Sequence, residues 1–447
     1  MKNWLRHQRR NRFVRASLWL IPALCMAAAL LAAPVVRWID DRTRWTLLGL
    51  SAEGAREVAG ALASSLLTLI VFAFSMLLLA VQMASGQLTP RIITRVFGDR
   101  VTKLSVGAFV FAWVYTLAAL GRIEERVPQL PVALAMLLSL ASVVLFLYVV
   151  QSAIQSMRPG TILTDIADDT RAVIEAVYPA RFSSDGGEHV GLELDPSHTR
   201  TIARHERSAV VLAFDVRDMA EIAQRAGCTI EIVPEVGDFV ATGQELFRLY
   251  GPGVDGVNES VLRRCVAFGP ERTLEQDPAF GFRVIVDIGS KALSAAINDP
   301  TTAVLAIDQL HHLLHLLGQR QLDTGVVRDR SGEVRLVYRT PDWEDFVTLA
   351  GTEIRIYGAS SPQVTRRLQA MYEHLVQSVP PQRRVALNDQ LSALAGSVQG
   401  AFGDPADRAL AIRADLQGIG SPMRARRPAR VGATDRAAEG IGGLHAS

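Results

Sequence analysis

The sequence predicts a polytopic α-helical membrane protein with four transmembrane helices and a C-terminal cytoplasmic α+β domain. Three observations predict it. Of 447 residues, 49% are hydrophobic and only 21% charged, with mean hydropathy positive at +0.19, a balance seldom met in a wholly soluble chain. Long charge-free runs crowd between Ala16 and Met157, whereas Arg158 to Ser447 has ordinary globular composition. Basic residues gather at alternate ends of those runs.

A bilayer core of about 30 Å needs roughly twenty helical residues. Ala16 to Val36 meets that length without a charge, as do Val58 to Pro90, Leu104 to Gly121 and Val127 to Met157. The first run is too long for a usual signal-peptide core, and further spans follow it. Lysine and arginine orient the spans. Lys2, Arg6, Arg9, Arg10, Arg12 and Arg15 precede the first without an acid, and Arg91, Arg95, Arg100 and Lys103 follow the second against Asp99 alone. Both segments belong in the cytoplasm. The remaining connections are balanced, Arg37, Arg42, Arg44 and Arg56 against Asp40, Asp41, Glu53 and Glu57, then Arg122 and Arg126 against Glu124 and Glu125. The expected location is the inner (plasma) membrane, multi-pass, with both termini cytoplasmic. Three cysteines, Cys25, Cys228 and Cys265, none in a CxxC pair, suit a reducing compartment and write neither a disulfide framework nor a thiolate metal site.

The expected domains are a basic N-terminus (1–15), the transmembrane part (16–157), a connecting helix and loop (158–200), a small β-rich subdomain (201–253), a helical subdomain (254–417) and a disordered basic tail (418–447). In the second span Ser64, Thr68, Ser75, Gln82 and Thr89 form a polar stripe along one helix face. In lipid such groups need partners, supplied by neighbouring helices or by water in a conduit. Pro90 and Arg91 mark the membrane boundary, because proline ends a helix, and Arg91 to Lys103 then reads as an amphipathic surface segment.

Past Arg158, Thr161 to Tyr178 has helical spacing, and Arg181 to Arg200 reads as a loop. Strands are expected at Ala209 to Phe214, Thr229 to Val233 and Gln244 to Tyr250, with a helix between the first two capped by Asp215 and stopped near Gly227. The stretch Val233 to Phe247 resembles the hairpin of the biotinyl and lipoyl carrier fold without its carrier lysine. Helices follow at Val257 to Phe268, Pro278 to Leu293 and Pro300 to Leu317, and others from Pro341 toward Leu416, interrupted by a hairpin around Ser331-Gly332.

Two blocks carry a wider resemblance. The first is Phe74-Ser75, Gln82, Ala84-Ser85, Gln87, Thr89-Pro90-Arg91, Phe97, Asp99, Gly107, Phe109 and Tyr115. The second is Arg272-Thr273, Gln276-Asp277-Pro278, Phe280, Asp287-Ile288, Lys291 to Ser294 and Ile297 to Ala303. Together they resemble a bacterial predicted-membrane-protein family, domain of unknown function twenty-two fifty-four. Ala295 stands where that pattern has proline, and Ser208-Ala209-Val210 where it has Ser-Gly-Tyr. The resemblance implies a four-span anchor with a cytoplasmic domain and supplies no activity.

The second block admits two chemistries. Asp299 can cap the helix that Pro300 begins. Alternatively Ser294, Asn298, Thr301 and Thr302 beside a helix N-terminus form an anion cradle with Arg272 nearby. Asp277 and Asp287 supply carboxylates, though ten residues of separation says nothing about pairing. Asp308, His311, His312 and His315 have helical metal-ligand spacing, yet leucines surround them, no HExxH is present, and one solvated face explains them. No Walker A sequence, GxSxG elbow or GxGxxG after a strand occurs, so no enzyme, catalytic residue, metal or cofactor is expected. A net charge of +2 makes no case for nucleic acid. The expected partners are membrane lipid and further copies of the chain. The expected function is an oligomeric channel-like or transport-related protein with a cytoplasmic regulatory domain. The alternative is a membrane-anchored regulatory or scaffolding protein whose cytoplasmic domain binds a protein partner or small ligand.

Overall fold

Charge-free length alone misses the charged ends of the first two helices. The computed structural model describes residues 19–43, 49, 51–87, 100–123, 128–156, 158–183 and 199–420. Its first part holds α1 (Leu20–Thr43), α2 (Ala52–Gln87), α3 (Arg100–Leu120) and α4 (Gln129–Ser156). All four are long and apolar enough to cross a membrane. α1 runs on through Arg37, Asp40, Asp41 and Arg42, and α2 starts before Glu53, Arg56 and Glu57. Helical backbone satisfies itself whatever surrounds it, so lipid limits the apolar window and not the helix. The same reasoning corrects the expected surface segment: Arg100 to Lys103 form the first turn of α3, while residues 88–99, with Pro90 and Arg91, lie outside the described residues.

α3 is the central helix, packed against α1, α2 and α4. Small residues make this possible. A Cβ on Gly107 would stand 2.9 Å from Cys25 Sγ and 3.0 Å from Ile21, so α1 and α3 approach closely there. Ala29, Ala33, Tyr115 and Ala135 fill the centre. At one end, charged groups tie the helices to one another. Asp40 Oδ1 accepts from the Leu130 N–H at 2.9 Å, satisfying a free amide in the first turn of α4. Arg37 donates to the Arg122 carbonyl at 3.2 Å and Arg56 to that of Ile123 at 2.7 Å.

α5 (Pro159–Val177) follows, with Ile162, Leu163, Ile166 and Ile174 buried along one face. It packs on α8 (Pro278–Ala292) and α9 (Pro300–Leu317). α10 (Trp343–Gly358), α11 (Pro362–Ser378), α12 (Arg384–Ala401) and α13 (Pro405–Ala411) complete this helical layer, whose core includes Phe282, Leu310, Phe346 and Leu375. Between α5 and α8 run β1 (Thr199–Ala203), β2 (Ala209–Phe214), α6 (Val216–Ala226), β3 (Thr229–Ile232), β4 (Phe239–Val240), β5 (Glu245–Tyr250), α7 (Glu259–Arg263) and β6 (Val266–Gly269). β7 (Val326–Arg328) and β8 (Val334–Tyr338) come after α9. The strands make a five-stranded sheet, β1-β5-β3-β8-β7, and a three-stranded one, β4-β2-β6.

Four expectations change. Thr199 to Ala203 is a strand paired with β5, whereas residues 184–198 of the expected loop lie outside the described residues. Val233 to Phe247 is no carrier-type hairpin, since β4 pairs with β2 while β5 pairs with β1 and β3. The helix expected over Val257 to Phe268 stops at Arg263, and Val266 to Gly269 pairs with β2, because a β-branched and aromatic run gains more from a sheet edge than from helix propensity. Finally, β8 pairs in parallel with β3, so the sheets draw strands from both sides of the expected boundary at 253/254. At the tail, Asp415 accepts from the N–H groups of Gln417, Gly418 and Gly420, holding the chain as far as residue 420; residues 421–447 lie outside the described residues.

Candidate functional site

Ser64, Thr68, Ser75 and Gln82 are all exposed. The buried face of α2 is Ala55, Ala59, Ala63, Leu66, Ala73 and Leu77, about half a helical turn away. The stripe therefore faces outward, away from the other three helices, flanked by exposed Leu67, Val71, Leu78 and Leu79. Thr68 Oγ1 donates to the Ser64 carbonyl at 3.0 Å and Ser75 Oγ to that of Val71 at 2.9 Å. Short hydroxyls can thus bond to their own helix. Gln82 carries a longer amide with two donors and an acceptor. Thr89 lies outside the described residues.

The second block divides into three arrangements. In the first, Asp277 is buried and accepts from Arg272 Nη2 and from the Phe280 N–H, both at 3.0 Å, so it caps α8 while pairing with an arginine. Burial is the largest influence on the Arg272 charge and works against it, yet the Asp277 bond together with the negative charges of Asp277, Glu235 and Asp238 outweighs it and holds the guanidinium above its usual range. Arg272 presses on Gly237, where a Cβ would stand 2.4 Å away. Burial, then the neighbouring Asp238 charge, pushes the Glu235 carboxyl up. Gln276 accepts from the Phe214 N–H at 3.1 Å. Residues 272–280 thereby join β2 and the 235–238 turn to the start of α8.

In the second, Arg283 donates to Asp287 Oδ1 at 2.6 Å and to Glu353 Oε2 at 2.7 Å, tying α8 to α10. The third is the turn between α8 and α9. The Ser294 carbonyl accepts from Ile297 and Asn298, and Asn298 has φ 49°, the one positive value at a non-glycine among the described residues. Asp299 takes the Thr302 N–H at 3.1 Å and the Thr302 hydroxyl at 2.5 Å. Pro300 begins α9 and Thr301 is exposed. Both Asp299 oxygens are thus used in capping. The alternative, a cradle with Arg272 nearby, is not assembled, since the 15 residues of α8, about 22 Å at 1.5 Å each, separate Arg272 from this turn. Asp277 and Asp287 do not share a site either; each is held by its own arginine.

The histidine group is also redrawn. Asp308 pairs with Arg367 of α11 at 2.5 Å. His311 Nε2 meets His374 Nδ1 at 2.8 Å, one of the two nitrogens carrying the proton. His315 Nδ1 lies 3.2 Å from Ser378 Oγ, and His312 is exposed. Burial, then the His374 charge, pushes His311 down to about 4. The His311/His315 spacing was visible in the sequence. His374, 63 residues from His311, had no local signal and is reached only because α9 packs on α11.

No solved structure matches the chain. An uncharacterized protein of Mycobacterium bovis and another of Mycobacterium tuberculosis are each 28% identical to it over 420 residues, covering 90% of this chain and 80% of the relative. A family model described as a predicted membrane protein matches residues 15–374, taking in all four apolar helices, the 272–303 block and the His311/His374 pair. The chain belongs to the predicted membrane protein family DUF2254.

Proposed function

We propose that this protein is a subunit of a homo-oligomeric, channel-like or transport-related assembly of the bacterial inner membrane, with both termini and a regulatory domain in the cytoplasm. One observation carries the reading: Ser64, Thr68, Ser75 and Gln82 lie on the face of α2 opposite its packed face. Polar side chains turned toward lipid are costly, and copies arranged with these faces around a common axis would give them partners or water. Among the described residues the stripe lies outside the four-helix unit, on the side away from its packed face.

Gln82→Leu tests it. An apolar collar would close a water-filled route by dewetting, so flux in reconstituted liposomes should fall while native size in detergent stays unchanged. Undiminished flux in an intact assembly would remove the conduit. The second reading, a membrane-anchored regulatory or scaffolding protein, draws support from the bonds of Thr68 and Ser75 to their own helix, which let those hydroxyls face lipid without a partner from another helix. Under it the stripe needs no assembly, and wild type and Gln82→Leu both run as monomers.

A further inference from the structure

His311 and His315 stand one turn apart on α9, and His374 faces them from α11. The ring centroids of His311 and His374 are 4.8 Å apart, and those of His315 and His374 5.5 Å. We propose that these three imidazoles bind one divalent transition-metal ion of the zinc class, a site independent of the reading given above for α2.

The geometry supports a site that is half assembled. Two imidazole nitrogens bound to one tetrahedral ion at about 2.0 Å stand about 3.3 Å apart. His311 Nε2 and His374 Nδ1 are already aimed at each other at 2.8 Å, so after a small opening an ion takes the place of the shared proton, which passes through water to the outer nitrogen of its own ring and leaves both imidazoles neutral. Among the described residues, no three histidine, cysteine or acidic side chains yet converge into a metal-holding group. His315 is the missing third: its Nδ1 is engaged by Ser378 Oγ at 3.2 Å, and release from that neutral hydrogen bond frees the ring to turn toward the pair. Positions four apart on a helix share a face, so His311 and His315 can serve one ion. A water would fill the fourth position, as in open zinc sites.

The backbones are held for this. Asp308, one turn before His311, and Arg367, two turns before His374, lock α11 to α9 at 2.5 Å, and Leu310, Leu314, Met371 and Leu375 are fully buried beneath. Ligands on packed helices, not loops, keep their spacing when the ion arrives or leaves.

Untagged full-length protein in detergent, stripped with a chelator, is titrated with zinc by calorimetry and with cobalt by visible absorption. One zinc per chain and the d–d bands of four-coordinate cobalt are expected. His374→Ala, at an exposed position, should fold as wild type and weaken zinc binding by more than about tenfold, the scale that even outer-shell changes reach. His311→Ala and His315→Ala should do the same, whereas His312→Ala should bind as wild type. Zinc should raise the Tm of wild type and not that of His374→Ala. No saturable zinc binding by wild type, or undiminished affinity in His374→Ala, would overturn the site.

Discussion

Asp299 gives both carboxylate oxygens to Thr302, so its chemistry is spent within one helical turn. Asp299→Ser should then unfold like wild type, because serine caps about as well, while Asp299→Ala should cost about 1 kcal/mol in a denaturant titration. Glu235 makes a prediction with a sign. Its folded carboxyl is pushed up, by burial first, so the folded state holds its proton more tightly than the unfolded state does. That mismatch costs nothing below the ordinary carboxylate range and grows as pH rises through the unfolded value toward the folded one. Glu235→Gln should therefore flatten the decline in stability across that window and stabilise the protein at neutral pH, as read from Tm against pH. Gly351 is a packing requirement: a Cβ there would lie 1.8 Å from the buried Tyr372 hydroxyl. Gly351→Ala should cost on the order of 1 to 3 kcal/mol, and adding Tyr372→Phe should restore part of it, the two changes failing to add.

Among elements, the ends of the apolar helices are held by groups that the sequence displays only as charge. Asp40→Ala removes the acceptor for the Leu130 amide and should lower Tm in detergent, by about 0.5 to 2 kcal/mol of stability, whereas Asp40→Asn keeps an oxygen and should lose little. Local helix signals were legible where they act within a few residues. Asp215 accepts from the Asp218 N–H, Gly227 stops α6 at φ 68°, and α9 runs over Pro300–Leu317; each follows from cap chemistry. Val266 to Gly269 was not legible as a strand, because its preference is settled by β2, more than fifty residues earlier. The polar stripe was legible as a period, yet a period does not say which face of α2 packs, and the alanine-rich side won by allowing close approach.

For the whole molecule, the orientation rests on arginine asymmetry and is open to test. A cysteine placed at Arg95 should resist impermeant maleimide in intact cells and react after permeabilisation; labelling from outside would invert the arrangement. The native background is favourable, since Cys228 and Cys265 are buried and burial pushes the Cys265 thiol up to about 12, leaving little thiolate to react; Cys25→Ser removes the third. Four apolar helices, their charged flanks and the caps of α6 and α9 could be derived from residue order, because each depends on the apolar length of one segment or on side chains three to five positions apart. The parallel pairing of β3 with β8, the outward turn of Gln82, the separation of Arg272 from Asp299 and the meeting of His311 with His374 could not. Their partners lie tens to a hundred residues away along the chain, or, for Gln82, depend on which helix face packs. Such meetings are set by how hydrophobic faces stack, a property of the packed whole and not of any local pattern.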